Sequence, residues 1–213
     1  VGLVSVSLSQ RMPQPGLPWV ANCHNALDLD AYPVHTERGE YLLFLGRMSP
    51  GKGCHRAVEV ARETGLPLKM AGKMREPAER DYFEEHIAPH LGNGIEYLGE
   101  TSHAKKVALL QNARATLFPI EWEEPFGLVM IESMACGTPV LATRWGAVPE
   151  VIEHGRSGIV VDDYHDMAGA LAEADRLEPL ECRRSVEESF SAERMVADYL
   201  AAYEAMLAGT PFA

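Results

Sequence analysis

The sequence lacks any long run of apolar residues. Runs such as Val140 to Ala142 and Ile159 to Val161 are far shorter than the roughly 20 residues that a transmembrane helix needs. No stretch of positive charge followed by an apolar segment, the pattern of a secretory signal, opens the chain either. We therefore expect no transmembrane segment and a cytoplasmic location.

Positive charge is also scarce. The 19 lysines and arginines face 31 aspartates and glutamates, which gives a net charge of −12. A surface with this balance repels the phosphate backbone of nucleic acids and anionic membrane surfaces. Nucleic acid is therefore not an expected partner.

Metal-binding and disulfide patterns are missing as well. The four cysteines show no C-x-x-C spacing, and a chain of 213 residues can bury a core without disulfides, so we expect free thiols. His86 and His90 have the i, i+4 spacing of helical metal ligands, but Pro89 lies between them and no third ligand is evident. No metal site and no cofactor are predicted.

Short apolar runs do alternate with amphipathic stretches. The runs predict six buried strands: Tyr41 to Leu45, Pro67 to Ala71, Ile95 to Leu98, Ala115 to Phe118, Pro139 to Ala142 and Ile159 to Val161. Helical patterns lie between most of them, at 53–64, 76–88, 102–112, 127–136 and 165–176. Regular alternation of strand and helix predicts an α/β fold, a Rossmann-like doubly wound parallel sheet over residues 40–180.

The two ends of the chain have different patterns. Residues 3–7 and 19–21 are possible strands, but four prolines interrupt the first 33 residues, which do not resemble a complete domain. At the other end, Ser191 is placed to cap a helix whose apolar residues Met195, Tyr199, Tyr203 and Met206 recur every three or four positions. Such a helix either packs on its own domain or crosses to a neighbouring one.

A glycine-rich loop, Gly46-Arg47-Met48-Ser49-Pro50-Gly51-Lys52-Gly53, follows the first predicted strand of the sheet. Glycines allow close backbone approach, while two cations and a helix start favour an anion, so we predict a phosphate site. An ordinary Gly/Pro turn with two solvated cations is the alternative. The loop also nearly matches the P-loop of nucleotide hydrolases, but Gly53 stands where the Mg²⁺-binding hydroxyl residue belongs.

A second loop, Glu121-Trp122-Glu123-Glu124-Pro125-Phe126-Gly127, leads into a predicted helix. Backbone N–H groups near Phe126, Gly127 and Leu128 can bind an anion beyond the strand ends. Glu132 follows Glu124 by eight positions, about 80° around an ideal helix, so both carboxylates can face one cleft. Favourable placement near a helix start also explains Glu124, whereas Glu132 stands in an apolar run and needs a partner.

Six motifs in order resemble the C-terminal domain of family 4 retaining glycosyltransferases, which have the two-domain GT-B fold. They are Gly46-Arg47…Lys52-Gly53, Tyr97-Leu98-Gly99, Glu124-Pro125-Phe126-Gly127-Leu128…Glu132, Ala135-Cys136-Gly137-Thr138-Pro139-Val140, Gly146-Ala147-Val148-Pro149-Glu150 and Gly155-Arg156-Ser157-Gly158. The resemblance covers residues 41–207. Asn25-Ala26-Leu27-Asp28 resembles the family's interdomain segment, with Ala26 replacing its usual glycine.

The resemblance implies a role for each matching residue. Arg47 and Lys52 would neutralise the donor diphosphate, and the N–H groups of Gly127, Leu128 and Val129 would bind its oxygens. Glu132 would accept from the ribose hydroxyls and Glu124 from the donor sugar, which makes Arg47, Lys52 and Glu124 the expected catalytic residues. Thr101 and Lys106 lie where the family contacts the base, and family members need no metal.

The resemblance also implies a domain organisation and a partner for the chain. Residues 1–24 would be the end of an N-terminal acceptor domain, 25–40 an interdomain linker, 41–189 the donor-binding domain, and 190–213 a crossing helix and tail. The rest of the N-terminal domain would be missing. The expected donor is a nucleotide sugar, with UDP-glucose or a similar UDP-hexose favoured and GDP-mannose possible, and the acceptor is unknown.

Three functions other than transfer of a sugar fit part of this pattern. A P-loop-like nucleotide hydrolase fits the first loop except at Gly53, and a non-catalytic nucleotide-sugar-binding module fits both loops. A glycosidase could use the glutamate pair as acid and nucleophile, but both phosphate-binding loops would then have no role.

Overall fold

The computed structural model of this protein describes residues 2–208. Val1 and residues 209–213, which include the tail predicted to follow the C-terminal helix, lie outside the described residues.

A six-stranded parallel sheet forms the centre of the structure. Its strands are β3 (Tyr41–Leu45), β4 (Leu68–Ala71), β5 (Ile95–Tyr97), β6 (Ala113–Phe118), β7 (Val140–Thr143) and β8 (Gly158–Val161). They lie side by side in the order β5-β4-β3-β6-β7-β8, and every neighbouring pair is parallel. The central strands are buried on both sides, as their continuous apolar sequences predict.

Eight α-helices accompany the sheet in the described part of the chain. They are α1 (Cys54–Thr64), α2 (Pro77–His86), α3 (His103–Gln111), α4 (Leu128–Ala135), α5 (Val148–Val151), α6 (Met167–Ala174), α7 (Pro179–Ser189) and α8 (Ala192–Ala208). Helix α1 packs with α6, whereas α4 packs with α3 and α7. The connections from β3 and from β6 run outward in opposite directions, which under the right-handed rule for parallel strands puts α1 and α4 on opposite faces of the sheet. The predicted doubly wound α/β fold is confirmed.

The strand order reverses between β3 and β6. From β3 the chain runs outward through β4 to β5, returns to β6 beside β3, and then runs outward the other way to β8. Ligands of doubly wound sheets bind at such a switch point, beyond the carboxyl ends of the strands. The glycine-rich loop leaves β3 and the glutamate-rich loop leaves β6, so both predicted loops begin at this point.

A separate pair of parallel strands, β1 (Leu3–Ser5) and β2 (Trp19–Asn22), lies outside the main sheet. Helix α8 packs on β2, where Ala21, Cys23 and Ala202 are buried and Tyr199 lies beside them. Ser191 caps α8 as predicted, because its Oγ accepts from the N–H of Arg194 at 3.3 Å. The other apolar positions of α8 are mostly exposed, among them Leu200, Tyr203 and Met206.

Helix α7 is an element that the sequence patterns did not predict. Its eleven residues are rich in charge, and only Cys182, Ser185 and Val186 are buried, so it has few apolar residues from which a helix could be predicted. His86 ends α2 while His90 closes a separate 3₁₀ turn, Ala88–His90, so the two histidines do not share a helix.

All four cysteines are buried and free, as expected. Burial raises the pKa of Cys136 and of Cys182 to about 12, which keeps both thiols protonated and unreactive. Within residues 2–208, no helix is both long and apolar enough to cross a bilayer. The cytoplasmic location stays a prediction.

Candidate functional site

The glycine-rich loop packs tightly against the end of β6. Lys52 ends a short 3₁₀ turn, Pro50–Lys52, and Gly53 has a left-handed φ of 74°. A Cβ atom at Gly53 would lie 2.0 Å from the carbonyl oxygen of Pro119. No serine or threonine can therefore take this position without moving the backbone, and the P-loop alternative loses its Mg²⁺-binding hydroxyl for a steric reason.

Lys52 and the glutamate-rich loop meet across the switch point. The Lys52 ammonium contacts Glu124 Oε2, and the Trp122 indole N–H donates to the same oxygen at 3.1 Å. Lys52 Nζ also lies 4.7 Å from the centre of the Trp122 ring. Side-chain exposure is only 19% for Lys52 and 11% for Glu124, so these opposite charges balance each other in a partly desolvated place.

The loop after β7 holds the backbone of Glu124. The N–H of Ala147 donates to the Glu124 carbonyl at 2.9 Å. Gly146 has φ 54°, and a Cβ there would lie 2.4 Å from the Glu124 nitrogen. A residue larger than glycine at position 146 would push the loop after β7 away from Glu124. The close approach of this loop therefore fixes the position of Glu124.

Glu150, which follows in α5, connects the main sheet with the strand pair at the start of the chain. Its carboxylate accepts from the backbone N–H groups of Leu8 and Ser9, each at 2.7 Å. His24 Nε2 lies 3.4 Å from the same carboxylate. Two short bonds to a charged acceptor hold residues 8 and 9 against the domain.

Glu132 has the partner that its apolar surroundings require. Lys106 Nζ lies 2.5 Å from Glu132 Oε1, and the Tyr32 hydroxyl donates to the same oxygen at 2.7 Å. The expected need for a partner is confirmed. The helical spacing between Glu124 and Glu132 does not apply, because α4 begins only at Leu128. Each glutamate instead contacts its own lysine.

Four of the predicted site residues line two cavities. The larger, of about 430 Å³, is lined by Arg47, Thr101 and Lys106, together with His103. The smaller, of about 170 Å³, is lined by Arg47 and Lys52. Arg47 lines both, so it borders the cavity that Lys106 lines and the cavity that Lys52 lines.

The start of α4 supplies backbone donors. Gly127 precedes the helix with φ 83°, and Leu128 and Val129 are its first two residues. The first N–H groups of an α-helix have no partner within the helix, and the helix dipole favours an anion there. The Phe126 side chain is buried against the rings of His24 and Phe190, so its part in any site is limited to its backbone.

Three residues of this region were not predicted from the sequence. Tyr32 and Trp122 contact the two glutamates, and Glu79 lies 3.5 Å from Arg47. Hydrogen bonding from the N–H of Arg75 lowers the pKa of Glu79, so this buried carboxyl is ionised beside Arg47. The position of Glu79 near the start of a predicted helix was a weak signal in the sequence, and the sequence contained no signal for Tyr32, 100 positions away from Glu132.

The arrangement suits a ligand that has both phosphate and hydroxyl groups. Arg47, Lys52 and Lys106 supply positive charge near the carboxyl ends of β3 and β5, and α4 begins at Leu128, shortly after Glu124 in the chain. Glu124 and Glu132 supply acceptors for hydroxyl groups. In the described residues, no cluster of three or more His, Cys, Asp or Glu side chains could hold a metal ion.

Comparison with known proteins adds an independent line of evidence. Residues 30–188 match the family model described as "Glycosyl transferases group 1". Glycogen synthase from Mycobacterium tuberculosis (strain ATCC 25618 / H37Rv) is 30% identical over 168 residues, which cover 74% of this chain and 39% of that protein.

Solved structures agree on the fold. The crystal structure of AviGT4, a glycosyltransferase involved in avilamycin A biosynthesis, has a TM-score of 0.79 at 26% identity and covers 99% of this chain and 65% of its own. Sucrose-phosphate synthase from Thermosynechococcus elongatus has a TM-score of 0.81 at 22% identity, with 98% and 59% covered, which supports the fold alone. This chain therefore spans less than two thirds of each of these three proteins.

Proposed function

We propose that this chain, which belongs to the glycosyl transferases of group 1, is the donor-binding part of a retaining glycosyltransferase. It would bind a nucleotide sugar and position the hexose for transfer to a hydroxyl group of an acceptor. The observation that carries the proposal is the pairing of Lys52 with Glu124 across the switch point of the sheet, beside Arg47.

The diphosphate of the donor would bind to Arg47, Lys52 and the N–H groups of Gly127, Leu128 and Val129. Cleavage of the bond between the sugar C1 and phosphate leaves negative charge on the diphosphate. Fixed cations and N–H dipoles stabilise that charge more in the transition state than in the ground state. The two side-chain cations would do this without a metal ion.

The remaining predicted residues would recognise the sugar and the nucleoside. Glu124 would accept hydrogen bonds from hydroxyls of the donor sugar, and Glu132 from the ribose. Thr101 and Lys106, which line the larger cavity with His103, would lie near the base. UDP-hexoses are the favoured donors, with GDP-mannose as the alternative.

Retention of configuration is compatible with two routes. In the first, the acceptor attacks from the face that the phosphate leaves, and a phosphate oxygen takes the acceptor proton. In the second, a carboxylate displaces the nucleoside diphosphate from C1 to form a covalent glycosyl-enzyme, and the acceptor oxygen then displaces the carboxylate while the diphosphate takes its proton. Glu124 is the residue whose replacement would separate the two, because only the second route needs its carboxylate as a nucleophile.

We also propose the domain division inferred from the sequence. Residues 41–189 would bind the donor, and residues 1–24 would belong to an acceptor-binding domain connected through residues 25–40. Contacts of α8 with β2 support a crossing role for the segment that begins at residue 190. The acceptor itself would bind mainly to the domain of which residues 1–24 are a part.

Calorimetry tests this proposal directly. The chain is titrated with UDP-glucose, other UDP-hexoses and GDP-mannose, each with EDTA and again with Mg²⁺. We expect binding of at least one nucleotide sugar with no loss in EDTA, and transfer only in the presence of the complete acceptor domain. A chain that binds ATP or GTP only with Mg²⁺ would contradict the proposal, whereas binding without transfer by the complete protein would identify a non-catalytic module.

A further inference from the structure

Tyr32 precedes the parallel sheet in the chain, yet its side chain reaches α4. Its hydroxyl donates to Glu132 Oε1 over 2.7 Å, and the residue is only 6% exposed. Burial, followed by the contact with Glu132, raises the pKa of Tyr32. The phenol therefore remains protonated at neutral pH and keeps the proton that it donates.

Lys106 binds the same carboxylate oxygen. Its ammonium lies 2.5 Å from Glu132 Oε1 and 3.2 Å from the Tyr32 hydroxyl. Both donors thus meet at Oε1, and no hydrogen bond from residues 2–208 reaches Oε2. A carboxylate accepts hydrogen bonds at both oxygens, so Oε1 is anchored inside the protein and Oε2 is the atom left for a ligand.

Arg183 fixes the backbone from which Tyr32 extends. Its Nη1 donates to the carbonyl of Tyr32 at 2.6 Å and to that of Ala135, the last residue of α4, at 3.1 Å. The ring of Tyr32 also packs edge-on against His103 at 5.0 Å between ring centres. One guanidinium therefore ties the backbone of Tyr32 to the helix that contains Glu132.

We infer that Tyr32 is a positioning residue for nucleotide recognition, which binds Glu132 Oε1 so that Oε2 is presented to the ribose hydroxyls of the donor. The inference rests on the proposed function, from which it takes the role of Glu132. A carboxylate already held in its binding orientation loses less freedom when the ligand arrives, so its hydrogen bond to the ribose is stronger.

The test compares a ribonucleotide with its 2′-deoxy analogue. UDP and 2′-deoxy-UDP are used, or the GDP pair if the wild type binds GDP more tightly. The wild type should prefer the ribonucleotide by about tenfold or more, as expected for a hydrogen bond to a charged group. Tyr32→Phe should reduce this preference by about three- to tenfold, through weaker ribonucleotide binding with little change for the deoxynucleotide.

Tyr41→Phe is the matched control. Tyr41 is a partly buried phenol, and its hydroxyl donates to the carbonyl of Leu109 at 2.7 Å rather than to Glu132. This variant should keep the wild-type preference. A general structural disturbance would weaken both nucleotides alike and leave their ratio unchanged, so the ratio separates positioning from stability.

The outcomes distinguish this inference from the proposed function. If Glu132→Ala abolishes the ribonucleotide preference and Tyr32→Phe leaves it intact, the positioning role is wrong and the proposed function stands. The role proposed for Glu132 fails if the wild type binds neither nucleotide, if it does not prefer the ribonucleotide, or if Glu132→Ala keeps that preference. The inference about Tyr32 then fails with it.

Discussion

Replacing Glu124 by glutamine tests whether its contact with Lys52 serves donor binding or only holds the loop. Glutamine keeps the shape of the side chain and can still accept from the Trp122 indole, which donates to Oε2 at 3.1 Å. It removes the negative charge that faces Lys52. In the ligand-free wild type the carboxylate of Glu124 occupies the Lys52 ammonium, so an incoming phosphate must compete with it for that group.

The size of the effect follows from the burial of the pair. Exposed ion pairs contribute about 0.2–1 kcal/mol, and removing one partner of a fully buried pair costs about 3–5 kcal/mol. Exposures of 19% and 11% place this pair between those limits, with both side chains still reached by solvent. We take about 1 kcal/mol, or about fivefold in affinity.

Glu124→Gln should therefore bind UDP as tightly as the wild type or up to about fivefold more tightly, because Lys52 no longer has to leave a carboxylate. UDP-sugar loses its charged acceptor, which typically contributes ~1.5–3 kcal/mol, so its affinity relative to UDP should fall about tenfold or more. Isothermal titration of both ligands, with thermal unfolding as a check on folding, measures the two changes.

Glu121→Gln provides the control for this experiment. Glu121 stands in the same loop, loses the same charge and contacts Arg56 instead of Lys52, so it should leave both affinities unchanged. If Glu124→Gln weakens UDP as much as UDP-sugar, the reasoning is refuted, and Glu124 acts by keeping the shape of its loop.

Three further predictions concern other contacts. Lys52→Ala should weaken UDP at least tenfold while uridine, which has no phosphate, binds unchanged in the same titration. Equal loss for uridine would disprove a phosphate contact. Glu150→Ala should accelerate hydrogen exchange of the two backbone amides that it binds by about tenfold or more, and speed tryptic cleavage after Arg11, without changing UDP affinity; unchanged exchange would show that Glu150 does not hold this segment. The hydrogen bonds from Arg114 lower the pKa of Asp175, so this pair stabilises the fold above the unfolded pKa of about 3.9 and loses its effect as the pH falls through the folded value. Asp175→Asn should therefore lower the free energy of unfolding by about 0.5 kcal/mol at pH 7, with a difference that shrinks below about pH 4, and a pH-independent difference would refute this assignment.

Much of the fold could be predicted because it depends on local patterns. The predicted bounds of β3 equal the observed ones, and the predicted bounds of the other strands and of most helices differ from the observed ones by at most two residues. Strands buried on both faces require continuous apolar runs, which are visible in the sequence. Helix α7 was not predicted because only three of its eleven residues are buried, which leaves few apolar positions to mark a helix. A helix of this kind is stabilised by what it packs against.

Local sequence patterns likewise predicted only part of the candidate site. The sequence by itself determined the two loops, the glycines that let them approach, the cations and the glutamates, because each is set by residue type and spacing along one stretch of chain. Only the tertiary structure decided which of them meet. The order β5-β4-β3-β6-β7-β8 brings Lys52 to Glu124 across 72 positions. Packing of the segment before β3 against α4 brings Tyr32 to Glu132 across 100. No local pattern records such contacts, because they depend on which strands become neighbours when the whole sheet forms.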